Sequence, residues 1–164
     1  MSVRVTGLIE TQIMLAELSP ATKRRAVGKL HEKALEIAKL ARKMAPVDKA
    51  NLEKAIKVFP EILPLSRERN DQGQFVRQDI FVYVDTTMPA PASGHQGKTV
   101  GDYAYIMHEH LTPFGPLNLG ELSAAKQAGQ GEVVGGKYLE RAMNEVGDSV
   151  LGAVSISVIE HLGY

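Results

Sequence analysis

His108, Glu109 and His110 form the only local cluster in this sequence whose residue types could bind a metal or move protons. On a helix, residues two apart point about 200° away from each other around the axis, so the two imidazoles could not share an ion. On a strand they would share a face, but a third ligand would have to come from elsewhere, and no HExxH motif is present. The cluster therefore reads as a polar, partly exposed piece of a short helix, and no metal ligand is assigned. There is no cysteine, which removes thiolate nucleophiles, cysteine-ligated zinc and disulfides. No serine sits in a GxSxG elbow, no glycine-rich phosphate loop occurs, and the acidic residues are too scattered to pair as acid and base. The sequence thus offers no catalytic or cofactor-binding residue and predicts a non-enzyme. A metal-dependent hydrolase using His108 and His110 is the alternative within enzyme classes.

Charge is the second chemical signal. The net charge of zero hides an asymmetry, because residues 1–59 hold 12 Lys/Arg against 6 Asp/Glu and residues 60–164 hold 7 against 13, giving +6 and −6. Copies that present these halves on different surfaces could pack positive side to negative side and close into a ring. Lys23, Arg24, Arg25, Lys29 and Lys33 are the candidate subunit interface. The same basic face could neutralise phosphates, so a nucleic-acid-binding module is the alternative outside the enzymes. The chain is neutral overall and the basic stretch has no aromatic residue, so it offers no stacking platform for bases.

The element that must carry those cations runs from Pro20 to Ala45. Ser19 and Pro20 mark its start, Pro46 its end, and Val27, Leu30, Ala34, Ile37, Ala38, Ala41, Met44 and Ala45 recur at helical spacing. Before it, Val3–Thr6 alternates like a strand, Gly7 turns the chain, and residues 8–18 suit a short amphipathic helix folding back on the long one. After it, one helical turn at Ala50–Lys54 leads to strands at 55–66 and 75–86, paired antiparallel through the polar connection Glu68–Gln74. Residues 86–101 lack apolar periodicity and read as a flexible loop; Asp102 caps a segment YAYIMHEHL; residues 111–135 are irregular around a short helix at Leu119–Ala128. The final helix spans Lys137–Leu162, weakened by Gly147 and Gly152. The order β-α-α-β-β-α-α predicts one α+β domain over residues 1–164, with the long N-terminal and C-terminal helices packed on a small antiparallel sheet. No apolar run approaches the ~20 residues that span a bilayer, and SVRVTGLIE lacks a signal peptide's apolar core, which predicts a cytosolic chain without a membrane partner.

The segments VRVTGLIE, ARKMAPVDKANLEKAIKV, IFVYVD, DYAYIMHEH and GGKYLERAM, in that order, resemble the tail-component family of tailed bacteriophages. The matching positions are Ala45–Pro46, Leu52, Ile56, Tyr103–Ala104, Tyr138–Leu139 and Ala142. The resemblance implies a tail-completion, neck or head–tail connector protein that forms a ring, often of six copies, between the capsid vertex and the tail tube. It further implies neighbouring connector or tail-tube proteins as partners, passing contact with DNA in the channel, no small-molecule substrate, assembly in the host cytoplasm and residence in the virion. The chain departs from the family pattern in the 86–101 insertion and in the long 111–135 stretch.

Overall fold

The computed structural model describes residues 19–47, 51–61, 79–90, 98–111 and 118–163. The expected strand at Val3–Thr6, the short helix at 8–18 and the connection Glu68–Gln74 lie outside these residues. The elements are α1 (Pro20–Met44), α2 (Asn51–Ala55), β1 (Ile56–Phe59), β2 (Phe81–Val84), α3 (Gly101–Glu109), α4 (Glu121–Gln130) and α5 (Tyr138–Leu162). The architecture is α+β: the two long helices pack together and α1 lies against a two-stranded antiparallel sheet.

Helix α1 forms where its sequence marks it. The Ser19 hydroxyl accepts from the Thr22 N–H at 3.2 Å and Pro20 fills the first turn, where its missing donor costs nothing. Its inner face is Thr22, Ala26, His31, Ala34, Ile37, Ala38, Ala41 and Met44. Val27 and Leu30, expected in that face, are only half-buried, because Thr22 and His31 find polar partners and can go inside instead. Thr22 shares a 2.8 Å hydrogen bond with Ser19, and the His31 Nε2–H donates to the Pro60 carbonyl at 2.9 Å.

A helix end leaves its last carbonyls without intrahelical donors, and here each finds one. The Lys126 ammonium donates to the carbonyls of Arg42 (2.6 Å) and Ala45 (2.8 Å), the Gln130 amide to that of Lys43 (2.6 Å), and the Gly135 N–H to that of Met44 (3.0 Å). Three of these four bonds come from α4, inside the stretch expected to be irregular. The expected helix Leu119–Ala128 starts two residues later and runs to Gln130, ending where Gly131 turns left-handed (φ 76°).

The strands pair Ile56 with Val84, Lys57 with Tyr83, Val58 with Val82 and Phe59 with Phe81. They are four residues each rather than the expected 55–66 and 75–86. Ala55 instead closes α2, whose Leu, Glu, Lys and Ala residues favour a helix, and Pro60, after a cis Phe59–Pro60 bond, has no N–H to continue the ladder. The Arg42 guanidinium clamps the strand start by donating to the Ile56 carbonyl through Nε (3.1 Å) and Nη2 (2.6 Å).

Both ends of the expected loop 86–101 are structured. Pro89 bridges Thr99, Ala90 N donates to the Lys98 carbonyl, Val100 N to that of Met88, and Gly101 N to that of Thr86. Asp102 is not the cap residue of α3; it sits inside the first turn, and its carboxylate reaches back to accept from Thr99 N at 2.7 Å and Thr99 Oγ1 at 3.2 Å. Those bonds, the backbone one first, hold it below its usual carboxylate range. α5 starts at Tyr138 rather than Lys137, because Lys137 adopts a left-handed conformation (φ 55°) that no helix continues. Ala38, Ala41, Leu52, Ile56, Val100, Tyr138 and Ala142 make the centre of the core. α1 and α5 run antiparallel, with Arg25 and Gly28 beside Ser157 and Glu160 at one end and Lys43 beside Glu145 at the other. Among the described residues no helix is long and apolar enough to cross a membrane.

Candidate functional site

The His108–Glu109–His110 cluster lies on the last turn of α3, so its two imidazoles diverge. His108 turns inward, packing edge-on against the Tyr138 ring at 4.9 Å, and its Nδ1–H donates to Glu109 at 2.9 Å. His110 faces out, where its ring meets Tyr105 edge-on at 6.2 Å. Glu109 also accepts from the Lys137 ammonium, an interaction that lowers the carboxyl's pKa together with the His108 bond and raises that of the lysine. Burial pushes the Tyr138 phenol up, so it stays protonated.

This constellation is a joint between helices. The Lys137 N–H donates to the His108 carbonyl at 2.6 Å, and Gly136 lies against the same turn so closely that a Cβ there would stand 2.5 Å from the Leu111 carbonyl oxygen. The Arg141 guanidinium, with its pKa lowered by burial, gathers the carbonyls of Val133, Gly135 and Gly136. The Gly135–Gly136–Lys137 sequence thus serves to lock α3 to the start of α5. Among the described residues no group of three His, Asp or Glu side chains converges to hold a metal.

Of the candidate interface cations, Lys29 and Lys33 bond within their own helix, to Glu32 at 2.6 Å and Glu36 at 2.7 Å. Arg24 and Arg25 are exposed, with Arg24 Nε also donating to the Pro20 carbonyl at 3.3 Å. Lys23 is half-buried in the same first turns. The structure therefore puts the exposed arginines on one end of α1 and turns the two lysines toward neighbouring glutamates.

What sequence reasoning missed is the apolar surface left outside. The outer face of the sheet carries Phe59, Phe81 and Tyr83, with Phe59 58 % and Phe81 52 % exposed as a cross-strand pair. Beside them Lys57 bonds Asp85 at 2.6 Å; that bond, reinforced by Thr87, lowers the Asp85 carboxyl to about 2. Strand alternation held the signal, since Phe81 and Tyr83 fall opposite to Ile80, Val82 and Val84. The C-terminal half of α5 also exposes Leu151, Ile156, Ile159 and Leu162. Comparison with protein-family models, curated proteins and solved structures finds no match to this chain.

Proposed function

We propose that this chain is a structural subunit of a tailed-bacteriophage virion, a ring component of the neck or tail-completion layer that works by contact and carries out no catalysis. The observation that carries the reading is the pair of separate exposed apolar surfaces, the aromatic sheet face and the C-terminal turns of α5. A monomer keeps large apolar patches rare, and two different ones on a small fold suit a subunit with neighbours on more than one side. The ordered resemblance to tail components supplies the biological setting. The His108–Glu109–Lys137 chain, which could have suggested chemistry, is spent on joining helices.

Electron microscopy of virions that encode the protein tests this directly. The expected result is a ring of copies at the head–tail junction; particles that lack the protein would refute the assignment. The alternative of nucleic-acid binding draws on the exposed Arg25, Lys39 and Lys43, which make no ion pair among the described residues. A gel shift on random duplex that weakens steeply with salt would favour it.

A further inference from the structure

We infer that two copies of this chain pair through the outer edge of β2, antiparallel about a two-fold axis centred on Tyr83, so that their hairpins join into one sheet. The contact goes beyond the ring reading and does not depend on it, because a two-fold pair is closed and forms in the free protein. Its basis is the phase of the strand ladder. The Asp85 N–H donates to the Ala55 carbonyl at 2.7 Å, so the alternation that follows makes Lys57–Tyr83 and Phe59–Phe81 the pairs that exchange hydrogen bonds. The N–H and C=O groups of Ile56, Val58, Val82 and Val84 therefore point to the two outer edges of the hairpin.

Helix α1 closes one of those edges. Along β1 the Ile56 carbonyl accepts from Arg42 Nε and Nη2 at 3.1 and 2.6 Å, and the Pro60 carbonyl accepts from His31 Nε2 at 2.9 Å. Lys57 and Pro60 add a charge and a missing donor, the usual guards of an edge strand. β2 has no such guard. Phe81–Val84 contains no charged residue or proline, and the outward groups of Val82 and Val84 meet no partner among the described residues. None of α3, α4 and α5 packs along it.

This asymmetry selects a second copy as the occupant. β2 cannot extend onto the β1 of another copy, since α1 covers that edge, so no continuous ribbon forms and β2 against β2 is the pairing left. With Tyr83 opposite its counterpart, Val82 of each copy exchanges N–H···O bonds with Val84 of the other, which satisfies the orphan groups of both. On the exposed face the two Tyr83 rings meet at the axis as a non-hydrogen-bonded pair, where side chains come closest. Each Phe81 lies across from Asp85 of the second copy, whose charge Lys57 of that same copy holds at 2.6 Å, so no like charges oppose. A four-residue edge falls short of the ~800 Å² per partner of a stable interface, so the pairing is concentration-dependent.

Because the chain has no cysteine, single engineered thiols report the register. Full-length Tyr83→Cys and Phe81→Cys proteins, each checked for fold by circular dichroism, are oxidised with diamide over a range of concentrations. In the proposed register the two Cα atoms at position 83 stand ~4.5 Å apart, within disulfide reach, and those at position 81 roughly 14 Å apart, beyond it. Phe81 is 52 % exposed and Tyr83 39 %, so random collision would favour position 81 and pairing favours position 83. At least tenfold more dimer from Tyr83→Cys is expected. Without any thiol, Tyr83→Lys places like charges face to face and should stay monomeric in sedimentation equilibrium at concentrations where the parent dimerises. Equal dimer from the two cysteine variants, or a Tyr83→Lys protein that dimerises like the parent, would overturn the pairing. A parent that stays monomeric up to millimolar concentration would overturn it as well and leave the edge to a strand of another protein. Finding the protein in virions, or its absence from them, decides the ring reading and leaves this contact untouched.

Discussion

Substituting Gly136→Ala should cost far more than the size of a methyl group suggests. The new Cβ would sit 2.5 Å from the Leu111 carbonyl oxygen and 2.9 Å from that of His108, where ordinary contact begins at 3.4 Å. Both obstacles are backbone, so about 0.9 Å of separation must come from moving α3 away from the start of α5, an overpacking cost of about 1–3 kcal/mol. That movement also stretches the 2.6 Å bond from Lys137 N to the His108 carbonyl, worth a further ~0.5–1.5 kcal/mol. The sum of about 1.5–4.5 kcal/mol should lower Tm by roughly 3–18 °C at ~2–4 °C per kcal/mol for a chain of this size. Gly147→Ala is the internal control: its Cβ would meet only the Met143 sulfur at 4.0 Å, and helix propensity should stabilise it by about 1 kcal/mol. Thermal melts followed by far-UV circular dichroism compare the two. A Gly136→Ala protein that melts within a degree or two of the parent would refute the reading of this joint as rigid.

Lys126→Met should destabilise by about 1–3 kcal/mol in urea titration, since it strips the donor from the Arg42 and Ala45 carbonyls and leaves Glu53 without its partner at 2.9 Å. Tyr138→Ala empties the largest fully buried site and removes the ring against His108, so a loss of about 3–5 kcal/mol is expected by the same measurement. Acid should weaken the fold through Asp85 and Glu109: their folded pKa values are depressed, so their contribution is complete above the ordinary carboxyl range and is lost as pH falls, for Asp85 from 3.8 through about 2. Lys137, raised by Glu109, contributes fully below its ordinary value of 10.5 and loses that contribution at still higher pH. The Tm gap between the parent and Glu109→Gln should therefore be widest near neutrality and narrow at both extremes; a gap independent of pH would remove the ion pair from the account.

The long helices were legible because their signals are local. Ser19, Pro20 and a run of alanines at helical spacing are enough to define α1, and the period across 138–162 defines α5. The positions of the strands were legible as well, but their lengths were not, since β1 stops at Pro60 and the helix-favouring residues of α2 take Ala55, where the β pattern begins. Least legible was α4. Its Lys126 and Gln130 read as ordinary surface residues, and only their approach across more than 80 positions of sequence to the carbonyl end of α1 shows that they are caps. The His108–Glu109–His110 cluster was legible as non-convergent from helical geometry alone. That Glu109 binds Lys137 was not, because the left-handed turn joining them is set by glycines 26 and 27 positions away.

The cations of α1 illustrate how position decides what a charge can do. Lys29 and Lys33 lie three residues before Glu32 and Glu36, and such pairs are worth about 0.2–0.5 kcal/mol each to their own helix. Arg42 is turned inward to the Ile56 carbonyl. Arg24 and Arg25 project from the opening turns, where the helix dipole disfavours a cation; within the chain Arg24 has the Pro20 carbonyl at 3.3 Å and Arg25 lies beside Glu160. A neighbour that presents carboxylates or a helix carbonyl end would account for them. Reversing both, Arg24→Glu with Arg25→Glu, should therefore leave the isolated domain as stable as the parent or slightly more so, while sharply lowering its incorporation into particles. Reversing Lys29 and Lys33 should instead cost the isolated domain up to about 1 kcal/mol through like-charge pairs at three-residue spacing, with a smaller effect on incorporation. Stability by urea titration and incorporation by immunoblot of purified virions separate the two effects. Equal incorporation of the arginine variant and the parent would show that these charges serve solvation and nothing else.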